Sequence, residues 1–364
     1  VSALRELVEQ RTVIVCCGSG GVGKTTVSAT FALAAARAGR RACVVTVDPA
    51  RRLADSLGVQ SLPNTPTEVE GNWPGHLFAL MLDTKGTFDD LVHRYANDDE
   101  QAQGILANRL YQNLAGALSG TQEYMAMEKL YELVDSGDFD VVVVDTPPTR
   151  NALDLLDAPR RLTRFLENRL FRALLLPTRM SLRAVGVATQ ALLRTISKVA
   201  GAEIVQDAVT FFQAFEGMEE GFRTRAGAVR ELLADPATAY VLVTSARPDA
   251  VAEASFFAEK LAERDVVPAA LVVNRIHPRF GTAATADGAG PGDAGGVAGG
   301  VAGGTLADLE ANLATLNAVA DREEGSYAGL LTQVAPAPLG RIPLFGHDVH
   351  DLGGLERTAD ALFA

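Results

Sequence analysis

Residues 18–26, Gly18-Ser19-Gly20-Gly21-Val22-Gly23-Lys24-Thr25-Thr26, read GSGGVGKTT and fit the pattern G-x-x-x-x-G-K-[ST]. The apolar run Val13-Ile14-Val15-Cys16-Cys17 precedes them and reads as a buried strand; an Ala-rich helix follows. Strand, glycine loop and helix in that order are the setting in which the pattern makes a phosphate cradle. The glycines let successive backbone N–H groups turn inward around an anion, and the helix N-terminus adds positive potential. Gly20, Gly21, Val22, Gly23, Lys24, Thr25 and Thr26 are therefore the candidate phosphate-binding residues. Lys24 is expected to reach the β and γ phosphates, and the Thr25 hydroxyl to ligate Mg²⁺. Binding of a nucleoside triphosphate is the reading that follows.

Composition sets the bounds. With 364 residues, 48% of them apolar and 21% charged, the chain has ample material for a soluble core. A net charge of -12 argues against general nucleic-acid affinity, so no specific nucleic-acid partner is expected. Arg outnumbers Lys 28 to 5, which points to a GC-rich genome rather than to binding. Cys16, Cys17 and Cys43 sit in strand-like runs with no CxxC spacing, so they read as buried thiols in a reducing cytoplasm. The opening VSALRELVEQ reads as a short amphipathic helix, not a signal peptide. No apolar run approaches the ~18 residues of a membrane span. A cytoplasmic location is expected, with room for peripheral contact at a membrane.

Strand-like runs recur at 12–17, 42–47, 77–82, 139–145, 240–245, 269–274 and about 331–335. Helical patterns at 24–38, 122–136, 249–264 and 305–320 separate them. That alternation predicts an α/β fold, a mostly parallel central sheet with helices on both faces, with ligand at the carboxyl ends of the strands. Helical stretches at about 84–136 and 150–234 interrupt it as insertions, the second long enough for a helical subdomain. Residues 281–304 hold 10 Gly and 7 Ala and read as a disordered loop. No internal repeat appears, so residues 1–364 read as a single P-loop domain.

Three strand ends carry candidate chemistry. Asp48 closes VVTVDPARRL, where a carboxylate can orient the attacking water near the γ-phosphate. The same Asp48-Pro49 pair also suits the cap and first position of the next helix, and both roles are compatible. Asp145 closes Val141-Val142-Val143-Val144 and opens DTPPTRNALDLL, as a carboxylate holding hydrated Mg²⁺ would. The Thr146–Thr149 segment after it suits a γ-phosphate switch. Asn274 closes AALVVNRIHP; its amide both donates and accepts, which suits a purine edge, though alone it is an ordinary turn residue. No Asp follows in an NKxD arrangement, so ATP is favoured over GTP.

Taken in order, GSGGVGKTT, VDPARRL, DTPPTRNALDLL, VVNRIHP and the late IPLFGHDVHDL resemble the deviant-P-loop ATPases of the arsenite-pump type. That family includes the ATPase that delivers tail-anchored membrane proteins. The resemblance spans most of the chain. It implies a nucleotide-driven dimer in which ATP is sandwiched between subunits and hydrolysis opens or closes a client surface on the helical insertions. By position it makes Asp48 the catalytic switch I carboxylate, Asp145 the switch II partner of Mg²⁺ through water, and Asn274 the adenine contact. Lys24, holding the phosphates, counts with Asp48 as a catalytic residue.

Departures from the family matter as much. Its second loop position is normally a Lys that reaches the partner's phosphates, and here it is Ser19. Two readings follow: an ATP-hydrolysing dimer that handles a hydrophobic or membrane-associated client, or a weakly or non-hydrolysing subunit of a heterodimer with a paralogue that keeps the Lys. Metalloid-binding cysteines have no counterpart in the helical insertions, so activation by arsenite is not expected. Residues 160–198 carry eight Arg and one Lys against Glu167 alone, beside a Leu/Phe stripe. Such a region either packs as an ordinary amphipathic helix or meets an anionic membrane surface or hydrophobic client.

Overall fold

Val13, Val15 and Cys17 enter one hydrophobic core, while Ile14 and Cys16, alternating with them, enter another. A strand whose two faces are both covered needs an uninterrupted apolar run, which is why this segment shows no polar alternation. The computed structural model describes residues 3–48, 50–109, 111–112, 121–147, 217–280 and 306–364, together with 160, 210, 211 and 214. In chain order the first elements are α1 (Ala3–Gln10), β1 (Val13–Gly18), α2 (Lys24–Arg37), β2 (Arg41–Thr46), α3 (Arg52–Leu57), β3 (Thr67–Val69), β4 (His76–Met81), α4 (Thr84–Tyr95) and α5 (Asp99–Leu106). Then come α6 (Thr121–Asp135), β5 (Val141–Asp145), α7 (Glu219–Ala234), β6 (Thr238–Ser245), α8 (Pro248–Ala262), β7 (Ala270–Ile276), α9 (Leu306–Gln333), β8 (Leu339–Pro343) and α10 (Leu352–Leu362).

Among the described residues the strands form one eight-stranded sheet in the order β3-β4-β2-β5-β1-β6-β7-β8. Every neighbouring pair is parallel except β3 with β4. The α/β fold expected from the alternation is present. One face is covered by α1, α2, α3 and α10, whose Leu4, Phe31, Leu53 and Leu355 share a core with Val44, Val143 and Val243. Leu130, Phe222, Phe257 and Leu330, from α6, α7, α8 and α9, cover Val45, Val144 and Leu242 on the other. Helix α2 is buried on nearly every side, which explains its Ala-rich composition: small side chains let it lie close under β1, β2 and β5. Phe31 meets Phe363 edge to face, ring centroids 5.3 Å apart, and docks the C-terminal helix onto it.

The last strand differs from the sequence expectation. Residues 331–333 finish α9, and Leu330 and Val334, four apart, both bury in the core as a helix requires. The true final strand is β8, with Gly340 and Ile342 buried between more exposed neighbours. A short apolar run is ambiguous between the two states, and helical spacing decided it. Strand β3, three residues on the sheet edge, carries too little pattern to be seen in sequence. Of the insertion at 84–136, α4, α5 and α6 are described. Most of the insertion at 150–234, the basic stretch after Arg160 and the Gly/Ala segment 281–304 lie outside the described residues. Cys16, Cys17 and Cys43 are buried free thiols, as their placement in strands implied.

Candidate nucleotide site

Strand β1 hands over to α2 through a loop that only glycine can build at two points. Gly18 has φ 153°, and a Cβ there would lie 2.0 Å from the Val243 carbonyl oxygen on β6. Gly23, at the cap position of α2, has φ 90°, and its Cβ would lie 2.2 Å from Asn274 Nδ2. The cap residue Gly23 brings no side chain to α2, so among the described residues its first backbone N–H groups stay available to an anion. The loop opens on a cavity of about 410 Å³, lined in part by Gly21, Gly23, Lys24, Thr25 and Thr26. Asp48, Asn274 and Thr146 join the same wall. Its size suits a small organic ligand.

Behind that wall, parallel register sets Asp145 beside both Cys16 and Thr46, at the carboxyl ends of three strands. Thr25 Oγ1 and Thr46 Oγ1 each donate to Asp145 Oδ2 at 2.8 Å. Among the described residues, Asp145 Oδ1 is buried with no hydrogen-bond partner. Burial pushes the Asp145 carboxyl up to about 6, against the opposing pull of the two threonine hydroxyls and the Lys24 charge. An orphaned carboxylate oxygen next to a threonine hydroxyl is a donor set that fits a hard, oxygen-seeking cation. Burial also lowers the Lys24 ammonium from its ordinary value, with Asp145 the largest opposing influence. Lys24 Nζ donates to the Ser19 carbonyl at 2.8 Å and so spans its own loop.

Asp48 sits on the cavity wall and enters the electrostatics of both Lys24 and Asp145. Its Oδ1 accepts from Ala50 N at 3.0 Å, closing a turn, while Arg52 lies 3.5 Å from Oδ2. Helix α3 begins at Arg52 with Arg51 at its cap, so Asp48 shapes the approach to the helix rather than capping it. Asn274 is buried and braces the loop from behind: Nδ2 donates to the Val22 carbonyl at 2.8 Å, and Oδ1 accepts from Arg275 N at 2.9 Å. The Val22 side chain is buried in the α2-side core, so this residue can offer a ligand only its backbone. Gly20 is exposed and outside the cavity lining. Ser19 Oγ is buried without a partner among the described residues.

Sequence reasoning missed several residues of the site, Thr46 behind the wall and others on it. Thr46 lies two positions before Asp48 at the same strand end, and its period-two relation to that carboxylate was the available signal. Arg52, Asp55 and Ser56 on α3 face the cavity, as does Arg275. Segment 344–351, with His347, Asp348 and His350, closes another side. With the last strand placed at 331–335, the loop after the true β8 was not recognised as the carboxyl end of a strand. No helix of the described residues is long and apolar enough to cross a membrane.

Comparison with known proteins gives a consistent picture. Residues 11–282 match the family model described as anion-transporting ATPase, about three quarters of the chain. The chain is similar to the ATPase asna-1 of Caenorhabditis elegans, 34% identical over 169 residues, covering 43% of this chain and 48% of that protein. It is also similar to the ATPase get3 of Aspergillus terreus, 32% identical over 167 residues, 45% and 48% of the two chains. The ATPase GET3 of Malassezia globosa is 33% identical over 165 residues, 45% of this chain and 47% of that protein. The chain spans about half the length of the curated relatives it matches.

Proposed function

Because the chain belongs to the anion-transporting ATPase family, we propose that it binds ATP with Mg²⁺ and hydrolyses it. The observation that carries the reading is the buried carboxylate of Asp145, tied to Thr25 and Thr46 through one oxygen while the other has no partner among the described residues. Phosphates would sit on the backbone N–H groups of Gly23, Lys24, Thr25 and Thr26. An ammonium has three donors, so the bond from Lys24 to Ser19 leaves two for phosphate oxygens. Thr25 and, through water, Asp145 are the residues that would hold Mg²⁺. When bound, that ion supplies positive charge against the β and γ phosphates. Asp48 orients the attacking water and takes up its proton. Asn274 and segment 344–351 would surround the purine, with Asn274 holding the loop and the base by the same amide.

The family relation supports a dimer that opens and closes with nucleotide state and handles a hydrophobic or membrane-associated client. Phosphate release by the wild type, by Asp48→Asn and by Lys24→Ala tests the core of the proposal. A ~10²-fold or larger loss is expected in each variant; rates equal to wild type would sink it. Sedimentation with and without ATP and Mg²⁺ tests the dimer. Ser19 favours a second reading, since a hydroxyl brings no charge to a partner's phosphates: a weakly hydrolysing subunit paired with a lysine-bearing paralogue. Under that reading, hydrolysis rises steeply only when such a paralogue is added.

A further inference from the structure

The ladder between β7 and β8 runs regularly from Leu271 to Val273 and then shifts register before Ile276. Inside that irregularity Arg275 adopts a left-handed backbone, φ 60°, a conformation that strains a residue with a long side chain. The bulge changes where the side chain goes. Strand alternation sends Asn274 toward the glycine loop and the next residue to the opposite face of the sheet. Arg275 instead lies against the loop as well, its Nη1 3.5 Å from the Gly21 carbonyl oxygen and its side chain on the wall shared by Lys24, Thr25 and Asn274.

Among the described residues its other side-chain engagements are weak. Asp348 Oδ1 stands 3.9 Å from its Nη2, on a side chain 93% exposed. Half of the Arg275 side chain is itself open to solvent. Arg52, across the cavity, stands beside Asp48 instead. A strained backbone and a broken ladder are thus retained where they deliver a lightly held guanidinium to the cavity mouth. A guanidinium presents paired donors that match phosphate oxygens.

On the nucleotide-binding reading above, we infer that Arg275 is a phosphate-binding residue. Its guanidinium leaves Gly21 and Asp348 for the phosphate chain of the bound nucleotide and adds a second cation to Lys24 from outside the glycine loop. Calorimetric titration with ATP and with inorganic pyrophosphate, each with Mg²⁺, tests this on wild type, Arg275→Ala, Arg275→Lys and Arg275→Gly. Arg275→Ala is expected to weaken both probes at least tenfold, and Arg275→Lys to recover part of the loss. Arg275→Gly relieves the left-handed strain, so it is expected to melt at or above the wild-type temperature while binding as poorly as the alanine variant. Unchanged affinity in Arg275→Ala, or a loss for ATP that spares pyrophosphate, overturns the inference. If wild type binds neither probe, the nucleotide reading itself has failed.

Discussion

At the scale of single residues, the site is defined by two groups, Asp145 and Lys24, whose burial shifts their proton affinities from the ordinary values. The Asp145 carboxyl rises from 3.8 to about 6 because it is buried, so the folded chain holds that proton more tightly than the unfolded chain does. Between those two values the native state binds more protons, and stability therefore falls as pH rises. Above about pH 6 the full cost of the buried charge is present; below about pH 4 it is absent. Two pKa units correspond to about 2–3 kcal/mol. Urea unfolding of the ligand-free protein should show wild type losing about that much, relative to Asp145→Asn, between pH 4.5 and 7.5. Parallel pH profiles for the two proteins would refute it. Asn274 offers a second test. Asn274→Asp sets a carboxylate oxygen against the Val22 carbonyl in place of a donor, so it should cost more stability than Asn274→Ala, by about 1 kcal/mol or more.

Elements impose their own constraints. The β1-to-α2 turn tolerates no side chain at Gly18, whose Cβ would strike the β6 backbone 2.0 Å away. Gly58, at the end of α3, has φ 69° with open space around a Cβ, so Gly58→Ala faces conformational strain alone. Gly58→Ala should cost about 1 kcal/mol, whereas Gly18→Ala must displace β1 from β6 and should cost more than about 2 kcal/mol. Denaturant midpoints compare them directly. Helices α6 and α7 are joined by a buried pair, Arg225 Nε donating to Glu128 Oε1 at 2.5 Å, with the Arg225 guanidinium 3.9 Å over the Tyr131 ring. Burial holds the Glu128 carboxyl above its ordinary value while Arg225 pulls it down. Arg225→Ala strands that carboxylate and should cost about 3–5 kcal/mol, and adding Glu128→Leu should recover much of it. A double variant as unstable as the single one would contradict this.

Over the whole molecule, the sheet converts sequence distance into proximity. Thr25, Thr46 and Asp145 meet because parallel strands β2, β5 and β1 end together beneath the start of α2. Asn274 closes the loop from 252 residues away. A ligand seated there ties two strand ends and a helix start into one unit, so it should stabilise the entire fold. ATP with Mg²⁺ at a hundred times its dissociation constant adds about 2.7 kcal/mol, visible as a raised melting temperature that Lys24→Ala loses. A melting temperature indifferent to ATP would speak against the site.

Strand β1, the glycine loop and the Ala-rich helix could be read directly from residues 13–37, because their conformation depends on local steric rules: apolar runs for two-sided burial, glycine for backbone room. Asp48 and Asp145 were legible for a related reason, since a carboxylate closing an apolar run has few places to go but the strand's end. Tertiary structure alone decided what these groups touch. That Asn274 braces the loop, that Thr46 shares Asp145 with Thr25, and that Arg275 turns toward the cavity all depend on strand register and on one bulge. The true final strand and the loop behind it were hidden because Leu330 and Val334 satisfy helix and strand patterns alike until a core is present to choose between them. Periodicity records which residues seek burial; only the packed sheet determines which of them meet.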